Sequence, residues 1–142
     1  MAKLVIDSGV VVKWFVTEPY TPEAQRILAD YQAGAVELLA PDLLFAEFGN
    51  IIWKKHTLQG MSATDAQAVI SAFQLLNFII TPSAVLLGDA YRLAVTHRRT
   101  VYDSLYLALS QREKCQFVTA DERLVNALGA SLPGVVWLAN WP

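Results

Sequence analysis

Short β-branched runs, each closed by a polar residue or a proline, alternate along this chain with stretches whose apolar residues recur every three or four positions. Residues 3–6, with Leu4, Val5 and Ile6 in succession and a polar turn after them, predict a buried strand ending at Asp7. Residues 22–31 predict a helix that stops near Gly34, and residues 36–40 a second strand closed by Pro41. Over 42–58 the period becomes helical, with Leu44, Phe48, Ile51, Ile52 and Lys55 at three- and four-residue steps and Gly60 as the stop. Ser62 to Asp65 reads as a capping signal for a helix running to about Leu76. Residues 78–81 predict a strand stopped by Pro82, followed by helices over 83–97 and 102–114. A short strand at 117–119, a helix at 121–128 and a last strand at 135–138 complete the pattern. Strands and helices in this alternation predict an α/β fold, with a parallel sheet of about four to five strands covered by helices on both faces. Ligands of such sheets collect at the carboxyl ends of the strands.

The length of 142 residues fits one domain spanning 1–142, with no repeat, low-complexity tract or long linker. Apolar residues make up 54% of the chain and charged ones only 17%, which is little polar cover for a domain of this size. Part of the apolar surface is therefore expected to meet a partner or a second copy. Net charge is −2, which argues against a protein that coats nucleic acid by bulk charge, though not against a local basic rim. A carboxylate at position 7 interrupts any signal-peptide core, and no apolar run is long enough to span a membrane. The expectation is a cytoplasmic protein. Cys115 stands alone, and it is expected to be a small buried hydrophobe beside Phe117 and Val118.

Four carboxylates change the picture. Asp7 and Asp121 each sit just past an apolar strand, at the predicted carboxyl edge of the sheet; either can serve as an N-cap or as part of a site. Glu47 falls inside the apolar stripe formed by Leu43, Leu44 and Ile51. A carboxylate in such a place calls for a cation or a tight partner, and an arginine salt bridge is the structural alternative. Asp103 opens a helix, where it either caps or points back to the sheet edge. Like charges gathered at one edge raise each other's pKa unless a cation sits among them. All-oxygen ligands favour Mg²⁺ or Mn²⁺ over zinc. His56 and His97 have no metal-ligand spacing and read as surface histidines.

The same residues fall in four ordered stretches, VIDSGVVVKWF at 5–15 (with Glu18 following), APDLLFAEFGNIIWK at 40–54, VYDSLYLAL at 101–109 and FVTADERL at 117–124. Together these resemble the motifs of VapC-type PIN domains. The resemblance covers the chain end to end and implies a PIN domain over 1–142. It implies a metal-dependent endoribonuclease that uses Mg²⁺ or Mn²⁺ held by Asp7, Glu47, Asp103 and Asp121, leaving 5′-phosphate and 3′-hydroxyl ends. It further implies the toxin role of a type II toxin–antitoxin pair, with RNA as substrate, a cognate antitoxin as partner and a homodimeric state. One position departs from the pattern. Where such domains usually carry Ser, Thr or Asn two residues after the first aspartate, this chain has Gly9, with the hydroxyl one place earlier on Ser8. Thr119, with water, is a candidate to supply the missing contact, and it is also a candidate for binding substrate.

RNA grip has to come from other side chains. Lys13, Lys54, Lys55, Arg98 and Arg99 are candidates for phosphate, with Lys13 foremost, and Trp14 and Trp53 for base stacking. The structural alternatives are solvated charges at helix ends and packed indoles. Two rival functions remain open. A PIN scaffold that binds without cutting would keep the pocket, and Gly9 is the feature in its favour. An aspartyl-phosphate enzyme would also place an Asp after a strand, but a haloacid-dehalogenase-like one would want a second Asp at position 9.

Overall fold

The computed structural model describes residues 2–142. Five parallel strands form one sheet: β1 (Ala2–Ile6), β2 (Val36–Pro41), β3 (Ile79–Thr81), β4 (Gln116–Thr119) and β5 (Val135–Trp137), in the spatial order β3-β2-β1-β4-β5. The helices are α1 (Ser8–Val12), α2 (Thr21–Gln32), α3 (Leu43–Gln59), α4 (Ala63–Gln74), α5 (Ser83–His97), α6 (Val101–Glu113) and α7 (Glu122–Leu128), with a 3₁₀ turn at Leu138–Asn140. The α/β expectation and the strand count hold. No helix is long and apolar enough to cross a membrane among the described residues.

The strand order locates the site before any side chain is considered. From the central β1 the chain steps outward through β2 to β3, then returns and builds β4 and β5 on the other side of β1. The order therefore reverses between β1 and β4, and at such a switch point the two connections part and leave a crevice beyond the strand ends. Ile6 pairs with Val118, so Asp7 and Thr119 emerge side by side at that crevice.

One helix is the hub of the packing. Every residue from Ser104 to Ser110 on α6 is buried, because α6 lies on β1, β2 and β4 while α5 packs against it. A helix enclosed in this way carries no polar stripe. Leu105, Leu107 and Leu109 join Val5, Ile6, Leu38, Leu39, Phe117 and Val118 in a single core. On α3, Leu44, Phe48 and Ile52 face inward, and Phe48 stacks on Phe73 of α4 with centroids 4.0 Å apart.

Two local features differ from the reading of the sequence. Residues 8–12 form the short helix α1 instead of a turn; Val10, Val11 and Val12 disguise it, since β-branched residues favour strands. Its first turn is held by a cap from Asp7 and its valines are buried in the core, so tertiary packing overrides propensity. Strand β3 starts at Ile79, leaving Phe78 to stack on Trp14. Beyond α1, Glu18 accepts from Lys13 Nζ at 3.2 Å and from Lys55 Nζ of α3 at 2.7 Å, which ties the loop after α1 to α3. With both ammonium groups beside it, Glu18 has its pKa lowered even though burial opposes that shift.

Candidate active site

Asp7 and Asp121 both serve as helix caps, and each also faces the crevice. Asp7 Oδ1 accepts from the Val10 N–H at 3.1 Å, which opens α1, while Oδ2 accepts from the Thr119 hydroxyl. Asp121 Oδ1 accepts from the Leu124 N–H at 3.2 Å and opens α7. Thr119, fully buried, joins the two: its hydroxyl donates to Asp7 and accepts from the Asp121 N–H at 3.0 Å. A carboxylate has two oxygens, so capping and facing the crevice are compatible. Thr119, a substrate-binding candidate from the sequence, is instead buried against Asp7 and the Asp121 backbone.

Asp103 does not cap α6. Thr100 is the N-cap, accepting from the Asp103 N–H at 3.1 Å, so the Asp103 carboxylate is left on the first turn facing the crevice. Glu47 has no arginine partner. Its Oε1 accepts instead from the Tyr106 hydroxyl of α6 at 2.5 Å. Asp7, Glu47, Asp103 and Asp121, with Tyr106 and Thr119, line one cavity of about 320 Å³ at the switch point. Six elements converge there: the ends of β1 and β4, the starts of α1 and α7, and α3 and α6.

The electrostatics are those of a site short of positive charge. Burial, reinforced by the charge of Asp121, pushes the Asp7 carboxyl up to about 6, against the opposing hydrogen bonds from Thr119 and Val10. Glu47 is raised by burial and by the charges of Asp7 and Asp103, although the Tyr106 hydrogen bond pulls the other way. Asp103 is raised by burial and by Asp121, with Thr100 and Arg99 opposing. Among the described residues no ion pair reaches any of the four. The donors are all oxygen and mutually repelling, which fits a hard divalent cation. Among the described residues no group of three or more acidic, His or Cys side chains stands close enough together to hold a metal ion as placed. Mg²⁺ keeps several waters and takes only one or two carboxylates directly, so carboxylates spread around one cavity can still serve it through water.

The other sequence-derived candidates fall in different places. Lys13 and Lys55 are held by Glu18 and do not line the cavity. Trp14 is packed, its indole N–H donating to the Ala24 carbonyl at 2.8 Å. Arg99 weakly opposes the upward shift of Asp103, which stays raised, and it does not line the cavity. Lys54 and Arg98 are exposed, and Trp53 is 56% exposed on α3. His56 is exposed and His97 half-buried, both away from the cavity. Cys115 is half-buried at the start of β4, with its thiol pKa raised by burial.

Tyr106 stands in the sequence three residues after Asp103, a spacing that puts both on one face of a helix and is the one sequence signal for its place in the site. Gly9 has a steric reason. A Cβ there would stand 3.0 Å from Ala120 Cβ and 3.4 Å from Asp7 Oδ1, so this chain packs Ala120 where a side chain at position 9 would sit.

A parallel α/β domain with an acidic pocket at its switch point defines a recognisable class. The PIN domain family model matches residues 4–128. A curated relative, Ribonuclease VapC3 of Pyrobaculum aerophilum, is 31% identical over 132 residues, covering 90% of this chain and 96% of that protein. The chain belongs to the PIN domain family. Similar folds occur in the crystal structure of PAE2754 from Pyrobaculum aerophilum (TM-score 0.63, 19% identity, 97% of this chain and 92% of that one). A toxin-antitoxin complex from Klebsiella pneumoniae matches with TM-score 0.62 and 19% identity, over 94% and 95% of the two chains. The sarcin-ricin loop cleaving toxin VapC20 of Mycobacterium tuberculosis matches with TM-score 0.61 and 15% identity, over 87% and 94%.

The raised Asp7 carboxyl makes a prediction with a definite sign. Metal-free folded protein keeps the Asp7 proton up to about pH 6, whereas the unfolded chain releases it near 3.8. This contribution to stability is full below pH 3.8 and is lost as pH rises through about 6. Thermal melts of the metal-free chain should therefore show higher stability at pH 5 than at pH 7, by about 1 kcal/mol. Asp7→Asn, which keeps a capping oxygen, should raise stability at pH 7 and flatten this dependence. A metal-free protein equally stable at both pH values would contradict the burial assigned to Asp7.

Proposed function

We propose that this chain is a divalent-metal-dependent endoribonuclease, the toxin of a type II toxin–antitoxin pair. The observation that carries the reading is the convergence of four carboxylates, none ion-paired and three with raised pKa, on one cavity at the sheet's switch point. The ribonuclease name of the curated relative supports the activity, and the toxin-antitoxin titles of two structural neighbours support the role.

Asp7, Glu47, Asp103 and Asp121 would hold Mg²⁺ or Mn²⁺, directly or through water. A bound divalent ion lowers the pKa of its water and neutralises charge on a phosphodiester during displacement. The carboxylates' own part is to fix that charge at the crevice and to accept a proton from the attacking water. Thr119 holds Asp7 in place. Arg99, beside Asp103, is the basic group best set to meet a phosphate, with exposed Lys54 and Arg98 on the rim. Lys13 would serve indirectly by holding Glu18. Trp53 offers an exposed face for a base or a partner. The reaction takes place in the cytoplasm, where RNA and a cognate antitoxin are met.

A homodimer belongs to the same reading. The outer face of α5 carries Leu87, Tyr91 and Val95, all exposed, at four-residue steps. An apolar stripe of this kind is a candidate for pairing with its own copy. Light scattering should give a dimer that Tyr91→Asp converts to a monomer; a wild-type monomer at high concentration would remove the dimer.

Incubating cellular RNA with the purified chain should give Mg²⁺- or Mn²⁺-dependent cleavage. EDTA should abolish it, and Asp7→Asn should reduce it more than ~100-fold, since ligands matter at least as much as their supporting partners. Cleavage that survives in the variant would refute this site, and failure of the metal-bound wild type to cut any RNA would favour a binding scaffold.

A further inference from the structure

We infer that Tyr106 is a positioning residue: its hydroxyl, by holding Glu47 Oε1, fixes Glu47 so that the other oxygen faces the cavity for the cation. The inference rests on the cation-site reading above and concerns a residue to which that reading gives no role.

Glu47 is the carboxylate most in need of restraint. It sits half-buried on α3, repelled by Asp7 and Asp103, with the apolar side chain of Ile51 one turn further along the cavity wall. The Tyr106 hydroxyl is its one hydrogen-bond partner among the described residues, and no cation pairs with it there. Free of that bond, a Glu side chain has several rotamers open, and holding one geometry then costs conformational entropy.

Tyr106 is built as a rigid strut for this task. Only 3% of it is exposed, and its ring lies flat on Phe117 of β4, with centroids 5.4 Å apart and planes 9° from parallel. It lies three residues after Asp103, so α6 presents a carboxylate and a hydroxyl to the cavity from one face. The phenol carries a single proton, and its hydroxyl is directed to Glu47 Oε1. The strut spans from the core helix to α3. It makes the spacing of Glu47 from Asp103 a property of the packed core.

The test is Mn²⁺ binding by the full chain, followed by electron paramagnetic resonance or calorimetry, in a double-mutant cycle of Tyr106→Phe and Glu47→Gln. Tyr106→Phe keeps the stacked ring and should weaken Mn²⁺ binding by ~10- to 100-fold, the usual effect of losing a ligand's supporting partner. In the Glu47→Gln background the same change should have no further effect, because the strut acts only through Glu47. General loosening of the fold would weaken binding equally in both backgrounds, and that result would overturn the inference. Wild-type affinity in Tyr106→Phe would overturn it too. Were Tyr106→Phe unable to fold, Tyr106→Met would remove the hydroxyl with a smaller, adaptable apolar side chain and carry the same expectation. A wild-type chain that binds no Mn²⁺ would instead defeat the four-carboxylate site, and the inference with it.

Discussion

Mutual repulsion among four carboxylates at one edge of a parallel sheet is the constraint on which the rest of this structure turns. Unpaired charges crowded beside a hydrophobic core cost free energy, and the molecule lets that cost stand: Asp7, Glu47 and Asp103 all have raised pKa values. Clusters of this kind survive in folded proteins where the strain serves a ligand. A divalent cation removes the repulsion and places a Lewis acid at the switch point in the same step. The stability given up by the metal-free fold is the free energy that makes the pocket selective for positive charge.

The scaffold holds that strained arrangement through contacts that also build the core. The β1–β4 pairing brings Asp7 beside Thr119, whose hydroxyl and lone pair join Asp7 to the backbone of Asp121. Helix α6 is at once the hub of the packing and the carrier of Asp103 and Tyr106. Further out, Glu18 and its two lysines join the loop after α1 to α3, and so link the element that Asp7 caps to the one that carries Glu47. A site built on strand ends and packed helices is held more tightly than one on loops alone.

Much of this was legible in the chain because the signals are local. Strand-then-aspartate at positions 7 and 121, and a glutamate inside an apolar stripe at 47, follow from periodicity and need no tertiary knowledge. What the sequence concealed depends on who meets whom. Glu47 called for a partner, but only the fold shows a tyrosine 59 residues away instead of an arginine. Capping and site roles looked like competitors for Asp7 and Asp121 until the two carboxylate oxygens were placed separately. Asp103 was freed from capping by Thr100, three residues upstream. Helix α1 was hidden by its valines, and the absence of a side chain at Gly9 found its reason only in the approach of Ala120. Lys13 stands close after Asp7 in sequence, yet its ammonium is turned to Glu18, because helical geometry carries it past the crevice.

The central claim is that the four carboxylates form one cation site, and anomalous diffraction from crystals grown or soaked with Mn²⁺ tests it most directly. An anomalous peak is expected inside the cavity between Asp7 and Asp103, with Glu47 and Asp121 reaching the ion directly or through its waters. Full occupancy elsewhere on the molecule, with this cavity holding only ordinary water, would contradict it.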